Sequence, residues 1–180
     1  MLFRSVSILA SGAAGNAEII PGSEDLLVFT EALTGLLRDL ARKVAGDGEG
    51  ATHLIECRVT GASSKEVART VAKSIVCSSL TKAAIFGADA NWGRVLCAIG
   101  YAGVPVDVTK VDVAFRSAKG AIPVCKDGAG IPFDEDVAKE ILLEKEVGIE
   151  VELNSGDFAA TAWGCDLTYD YVKINGDYRT

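Results

Sequence analysis

The sequence predicts a mixed fold, α/β or α+β, on three observations. Segments with period-two apolar alternation and segments with three- and four-residue apolar spacing are intermixed along the 180 residues. No internal repeat or low-complexity tract interrupts them. Apolar residues at 49% and charged residues at 24% give the balance of a globular chain. The length is enough to bury a real core, as one domain or two small ones.

The elements follow in order. Ser5 to Ala10 reads as a short buried strand, followed by a loop from Ser11 to Asn16. Ser23 starts a helix in which Leu26, Phe29, Leu33, Leu36, Leu37, Leu40 and Val44 form one apolar face, and Gly46 stops it. Asp47-Gly48-Glu49-Gly50 is a tight polar loop that leads into a strand from Thr52 to Val59. Ser64 caps a second helix with Val67, Val71 and Ile75 inward. Thr81 to Phe86 reads as a short buried strand, and Val95 to Ile99 as a short helix.

Gly100 to Pro105 reads as a linker, dividing a first domain, residues 1–102, from a second, residues 103–180. Beyond it Val111, Val113 and Phe115 alternate as in a strand, and Ile122 to Cys125 pairs with it. Asp134 to Lys145 is a helix with a Glu135–Lys139 pair. Val147, Ile149, Val151 and Leu153 alternate, Asn154-Ser155-Gly156 turns the chain, and two further strands end it. Trp163, Tyr169, Tyr171, Val172, Ile174 and Tyr178 give the tail an apolar content that predicts a packed terminus.

Charge and cysteine usage exclude several classes. A net charge of −7 with no basic stretch argues against nucleic acid or an anionic membrane surface as a main partner. Five dispersed cysteines without a C-x-x-C pair, and one histidine, leave no zinc set and fit free thiols in a reducing cytoplasm. No apolar run reaches the about 20 residues that span a bilayer. The opening seventeen residues faintly mimic a signal peptide, but Ser11-Gly12 cuts the apolar stretch short.

Four features could carry chemistry. His53, the only histidine, stands at a strand entry and reads as structural rather than as a general base. Two glycines in Asp47–Gly50 allow a sharp turn that projects carboxylates, so Glu49 could meet a substrate ammonium group; an acidic surface turn is the alternative. Gly87 to Arg94 opens a helix, a common ligand position, with Trp92 equally a core residue and Arg94 equally the partner of an acidic neighbour. Asn175-Gly176-Asp177 reads as a turn.

Taken together, LASGAAGN (Leu9–Asn16), DGEGAT (Asp47–Thr52), RVTGA (Arg58–Ala62), TKAAIFGADANWGRVLCAIGY (Thr81–Tyr101) and ATAWGCDLTYDYVKINGDYRT (Ala160–Thr180) resemble ornithine acetyltransferase, the bifunctional glutamate N-acetyltransferase of arginine biosynthesis. The resemblance runs from about Ile8 to the end of the chain, in the order of the C-terminal part of that family's β chain. It implies part of an N-terminal-nucleophile-like αββα sandwich followed by a small α+β domain. It also implies a cytoplasmic enzyme whose precursor cleaves itself into α and β chains, forming an (αβ)2 heterotetramer.

The implied reaction is acetyl transfer from N-acetylornithine to glutamate through an acetyl-threonine, with acetyl-CoA a further donor in some members and no metal or prosthetic group. The implied substrate contacts are Glu49, Asn175 and Thr180. The threonine nucleophile of the family stands in an Ala-Thr-Met-Leu context, which residues 1–180 do not contain. No catalytic residue is therefore assigned here, and the chain by itself is expected not to catalyse transfer. The alternative is an orphan fragment without turnover that folds or self-associates and at most binds ligand.

Overall fold

The computed structural model describes residues 6–177. They fall into two compact units, residues 1–44 and 45–180. In the first, Ser23 caps helix α1 (Glu24–Gly46), its hydroxyl accepting the Leu26 N–H at 3.2 Å. Glu24 and Asp25 in the first turn and Lys43 in the last suit the helix dipole. No residue of α1 is buried, and Phe29 and Leu36 of its apolar stripe are exposed. The expected strand at Ser5 to Ala10 is corrected: its described residues, 6–10, are irregular and exposed. An extended segment needs a partner for its backbone groups, and none of the strands below pairs with this one.

The second unit is built on one mixed sheet of six strands: β1 (Leu54–Ala62), β2 (Asp112–Ser117), β3 (Gly120–Lys126), β4 (Ala129–Gly130), β5 (Glu146–Glu152) and β6 (Phe158–Cys165). Their spatial order is β4-β3-β2-β5-β1-β6. β1 and β5 run parallel and the other neighbours antiparallel. The alternation read from the sequence decides which side chains meet. Ile55, Cys57 and Val59 pair with Val147, Ile149 and Val151, of which Ile149 and Val151 pair in turn with Phe115 and Val113. All eight are buried on one face.

Helices cover that face. α2 (Lys65–Cys77) is capped by Ser64 and buries Val67, Val71 and Ile75, as its spacing predicts. α4 (Trp92–Gly100) buries Val95, Ala98 and Ile99, and α5 (Glu135–Leu142), capped by Asp134, buries Ala138, Ile141 and Leu142. All join one core cluster with the strands. The opposite face is polar. There Arg116 meets Glu150 and Glu56, and the Trp163 Nε1–H donates to Glu56 at 2.7 Å. Within this unit, the sheet thus carries α2, α4 and α5 on its apolar face.

Further expectations change. Residues 79–86 form helix α3 (Ser79–Phe86), where a strand is predicted; the Ser78 hydroxyl accepts the Thr81 N–H and starts it. The last predicted strand is helix α6 (Tyr169–Asp177), so Asn175-Gly176-Asp177 lies in a helix and not in a turn. Its Tyr169, Tyr171, Val172 and Ile174 are exposed, which corrects the packed tail at these residues; Trp163 is half-buried, and Tyr178 lies outside the described residues. Finally, the division at residue 102 is not a break in the sheet. β1 lies before it and pairs with β5 and β6, which lie after it, because the buried faces of all three belong to one core.

Candidate functional site

The site grows from the exit of β6. Asp166 follows that strand with its side chain fully buried. Its carboxylate accepts the backbone N–H groups of Thr52 at 2.9 Å and His53 at 3.1 Å, the Thr52 hydroxyl, and His53 Nδ1 at 2.8 Å. Burial opposes its ionisation, but the hydrogen bonds from His53 and Thr52 outweigh it and lower its pKa to about 2. His53 thus directs its Nδ1 to a buried carboxylate at the entry of β1.

Two residues on, Thr168 is buried, and its hydroxyl has two tasks. It donates to the Gly50 carbonyl at 2.7 Å and accepts the Tyr171 N–H at 3.1 Å, which caps α6. The loop lies so close to the helix start that a Cβ on Gly50 would come within 2.9 Å of the Tyr171 nitrogen. Gly50 also has φ +66°, a conformation that favours glycine.

This seam brings two of the predicted site residues together. Asn175, one turn along α6, donates from Nδ2 to the Tyr171 carbonyl at 2.9 Å and to Glu49 Oε2 at 3.4 Å. Both Glu49 and Asn175 are exposed, open to a ligand. A carboxylate beside a carboxamide can take an ammonium group and a neighbouring polar group of one small molecule. Thr180, the third predicted contact, lies outside the described residues.

Sequence reasoning missed Asp166 and Thr168. A signal for Thr168 was present: a threonine followed by Tyr169-Asp170 is a helix-start pattern, overridden by the strand-like aromatic residues after it. Asp166 had none, since its partners lie 113 and 114 residues away.

The segment from Gly87 to Arg94 serves the core. Asn91 caps α4 through the Arg94 N–H at 3.0 Å, and the Arg94 guanidinium donates to the Leu80 carbonyl at 3.1 Å, not to the acidic neighbour weighed above. Trp92 packs over Gly130, where a Cβ would lie 2.5 Å from its ring. The five cysteines are free thiols, with Cys57 and Cys125 buried and Cys77 and Cys97 exposed. Among the described residues, no group of three His, Cys, Asp or Glu is placed to hold a metal, and no helix is long and apolar enough to cross a membrane.

Known proteins share this chain's sequence and fold. The ArgJ family model matches residues 4–180. The arginine biosynthesis bifunctional protein ArgJ of Caldanaerobacter subterraneus subsp. tengcongensis is 53% identical over 173 residues, covering 96% of this chain and 43% of that protein. ArgJ 1 of Clostridium acetobutylicum is 52% identical, over 96% of this chain and 42% of its own length. The chain thus spans less than half the length of these relatives. A crystal structure of ArgJ from Bacillus halodurans superposes with a TM-score of 0.87 at 48% identity, covering 94% of this chain and 78% of that one. On sequence and fold alike, this chain belongs to the ArgJ family.

Proposed function

We propose that this chain is the substrate-binding part of an acetyltransferase that moves acetyl from N-acetylornithine to glutamate. The observation that carries this reading is the pairing of Glu49 with Asn175 across 126 residues of sequence, on an accessible surface. Glu49 takes the ammonium group of the amino-acid substrate, while Asn175, joined by Thr180, hydrogen-bonds its polar end. The order of the motifs from DGEGAT to NGDYRT supports placing the chain in the C-terminal part of a β chain.

The nucleophile in this reading is a threonine outside residues 1–180. Its hydroxyl oxygen takes the acetyl group and the departing ornithine amine takes the proton. The glutamate amine then attacks the acetyl-threonine, restoring the hydroxyl. The α chain of the precursor completes the site in an (αβ)2 assembly, in the cytoplasm. Acetyl-CoA is a second donor compatible with the same acetyl-enzyme.

The test is a chimera in which this chain replaces the matching 173-residue stretch of the Caldanaerobacter relative. The chimera is expected to transfer acetyl from N-acetylornithine to glutamate, and the 180-residue chain alone is not. A folded chimera without transfer would overturn the reading.

A further inference from the structure

Five residues close a ring of covalent and hydrogen bonds. Glu49 is joined to Gly50 by the peptide bond. The Gly50 carbonyl accepts the Thr168 hydroxyl, which accepts the Tyr171 N–H. The Tyr171 carbonyl accepts one Asn175 Nδ2 hydrogen, leaving the other to reach back to Glu49. The ring's one buried hydroxyl is that of Thr168, and it uses its single proton and a lone pair in opposite directions. Glu49 and Asn175 themselves are exposed, with long side chains that would otherwise sample many rotamers. They meet at 3.4 Å, and Thr168 is the buried member of the ring beneath them.

We infer that Thr168 is a positioning residue that holds Glu49 and Asn175 as a pair. Its two hydrogen bonds fix the height of the 47–50 loop against the first turn of α6. Asn175 stands one turn above Tyr171, so a shift in that first turn is passed directly to its carboxamide. Valine at 168 keeps the volume and removes both bonds; serine keeps both bonds. The consequence for substrate rests on the acetyltransferase reading above: loss of the pairing raises KM for N-acetylornithine and leaves the chemical step, at a threonine elsewhere, less affected.

The experiment separates the two claims. In the 180-residue chain, the Asn175 side-chain amide signals are followed by nuclear magnetic resonance. Glu49→Gln is expected to shift them in the wild-type background and in Thr168→Ser, and not in Thr168→Val. The same coupling in Thr168→Val as in wild type would overturn the inference. If Thr168→Val does not fold, Thr168→Ala is read in the same way.

In the chimera, Thr168→Val is expected to raise KM on the order of tenfold with a smaller change in kcat, and Thr168→Ser to restore it. If the coupling is lost in Thr168→Val while Glu49→Gln and Asn175→Ala both leave KM unchanged, Thr168 positions the pair as inferred, and it is the substrate assignment that fails.

Discussion

The Asp166 carboxylate accepts the Thr52 backbone N–H at 2.9 Å, and that contact joins the exit of β6 to the entry of β1. The 47–50 loop immediately precedes this junction and α6 follows it. A buried acceptor of four hydrogen bonds thus stands at the root of both elements that carry the candidate site.

Acid should release this root. The Asp166 pKa is lowered from 3.8 to about 2, the result of hydrogen bonds from His53 and Thr52 prevailing over burial. Because the folded value is depressed, its stabilisation is fully present above pH 4 and is lost as pH falls through about 2. We expect Asp166 to contribute about 2 kcal/mol at neutral pH. Urea unfolding between pH 6 and pH 2.5 should show a stability loss that Asp166→Asn flattens. The same pH slope in wild type and variant would assign the loss to other groups.

Gly50→Ala should destabilise by about 1–3 kcal/mol. Its φ of +66° penalises a side chain, and the new Cβ would press on Asp170 and the Tyr171 nitrogen, both at 2.9 Å. Chemical denaturation measures this directly. A change within error would show that the loop moves freely away from α6.

Neighbouring positions on β2 should respond very differently. Phe115 is in the core, whereas Arg116 lies on the polar face between Glu150 and Glu56. Phe115→Ala is expected to cost about 3–5 kcal/mol through the cavity it leaves. Arg116→Gln is expected to cost about 1 kcal/mol or less, because the pair is partly exposed and screened. Equal losses in denaturant titrations would contradict the assignment of faces.

Thiol labelling should read burial. Cys77 and Cys97 are exposed and should react with iodoacetamide in the native chain. Cys57 should stay protected until unfolding, since burial, reinforced by the Glu150 charge, pushes its thiol pKa well up. Mass spectrometry of labelled peptides decides, and native-state modification of Cys57 would count against the core described above.

In the acetyl-transferring chimera, Glu49→Ala should lower kcat/KM by the equivalent of about 1–3 kcal/mol, toward the lower end because the carboxylate is exposed before substrate covers it. Unchanged kcat/KM would remove Glu49 from the site.

Local chemistry made much of this fold legible. Ser23, Ser64 and Asp134 are capping residues followed by helical spacing, and all three helices start where those residues stand. Val113, Phe115, Val147, Ile149 and Val151 alternate, and alternation alone gave their common face. The errors fell where the local signal was short or ambiguous. Residues 81–86 are too few to display a helical period, and the aromatic and β-branched run in 169–174 has strand propensity. There the capping hydroxyls of Ser78 and Thr168 prevailed.

The sequence by itself determined the starts of α1, α2 and α5, the buried sides of most strands, the family resemblance and the nomination of Glu49 and Asn175. These depend on neighbours within a few residues, or on motifs written in order. Only the tertiary structure decided that one sheet crosses residue 102, that His53 serves Asp166, and that Thr168 ties the 47–50 loop to α6. Each of those depends on pairing groups far apart in the chain, where burial leaves a carboxylate or hydroxyl no water and the fold alone selects its partner.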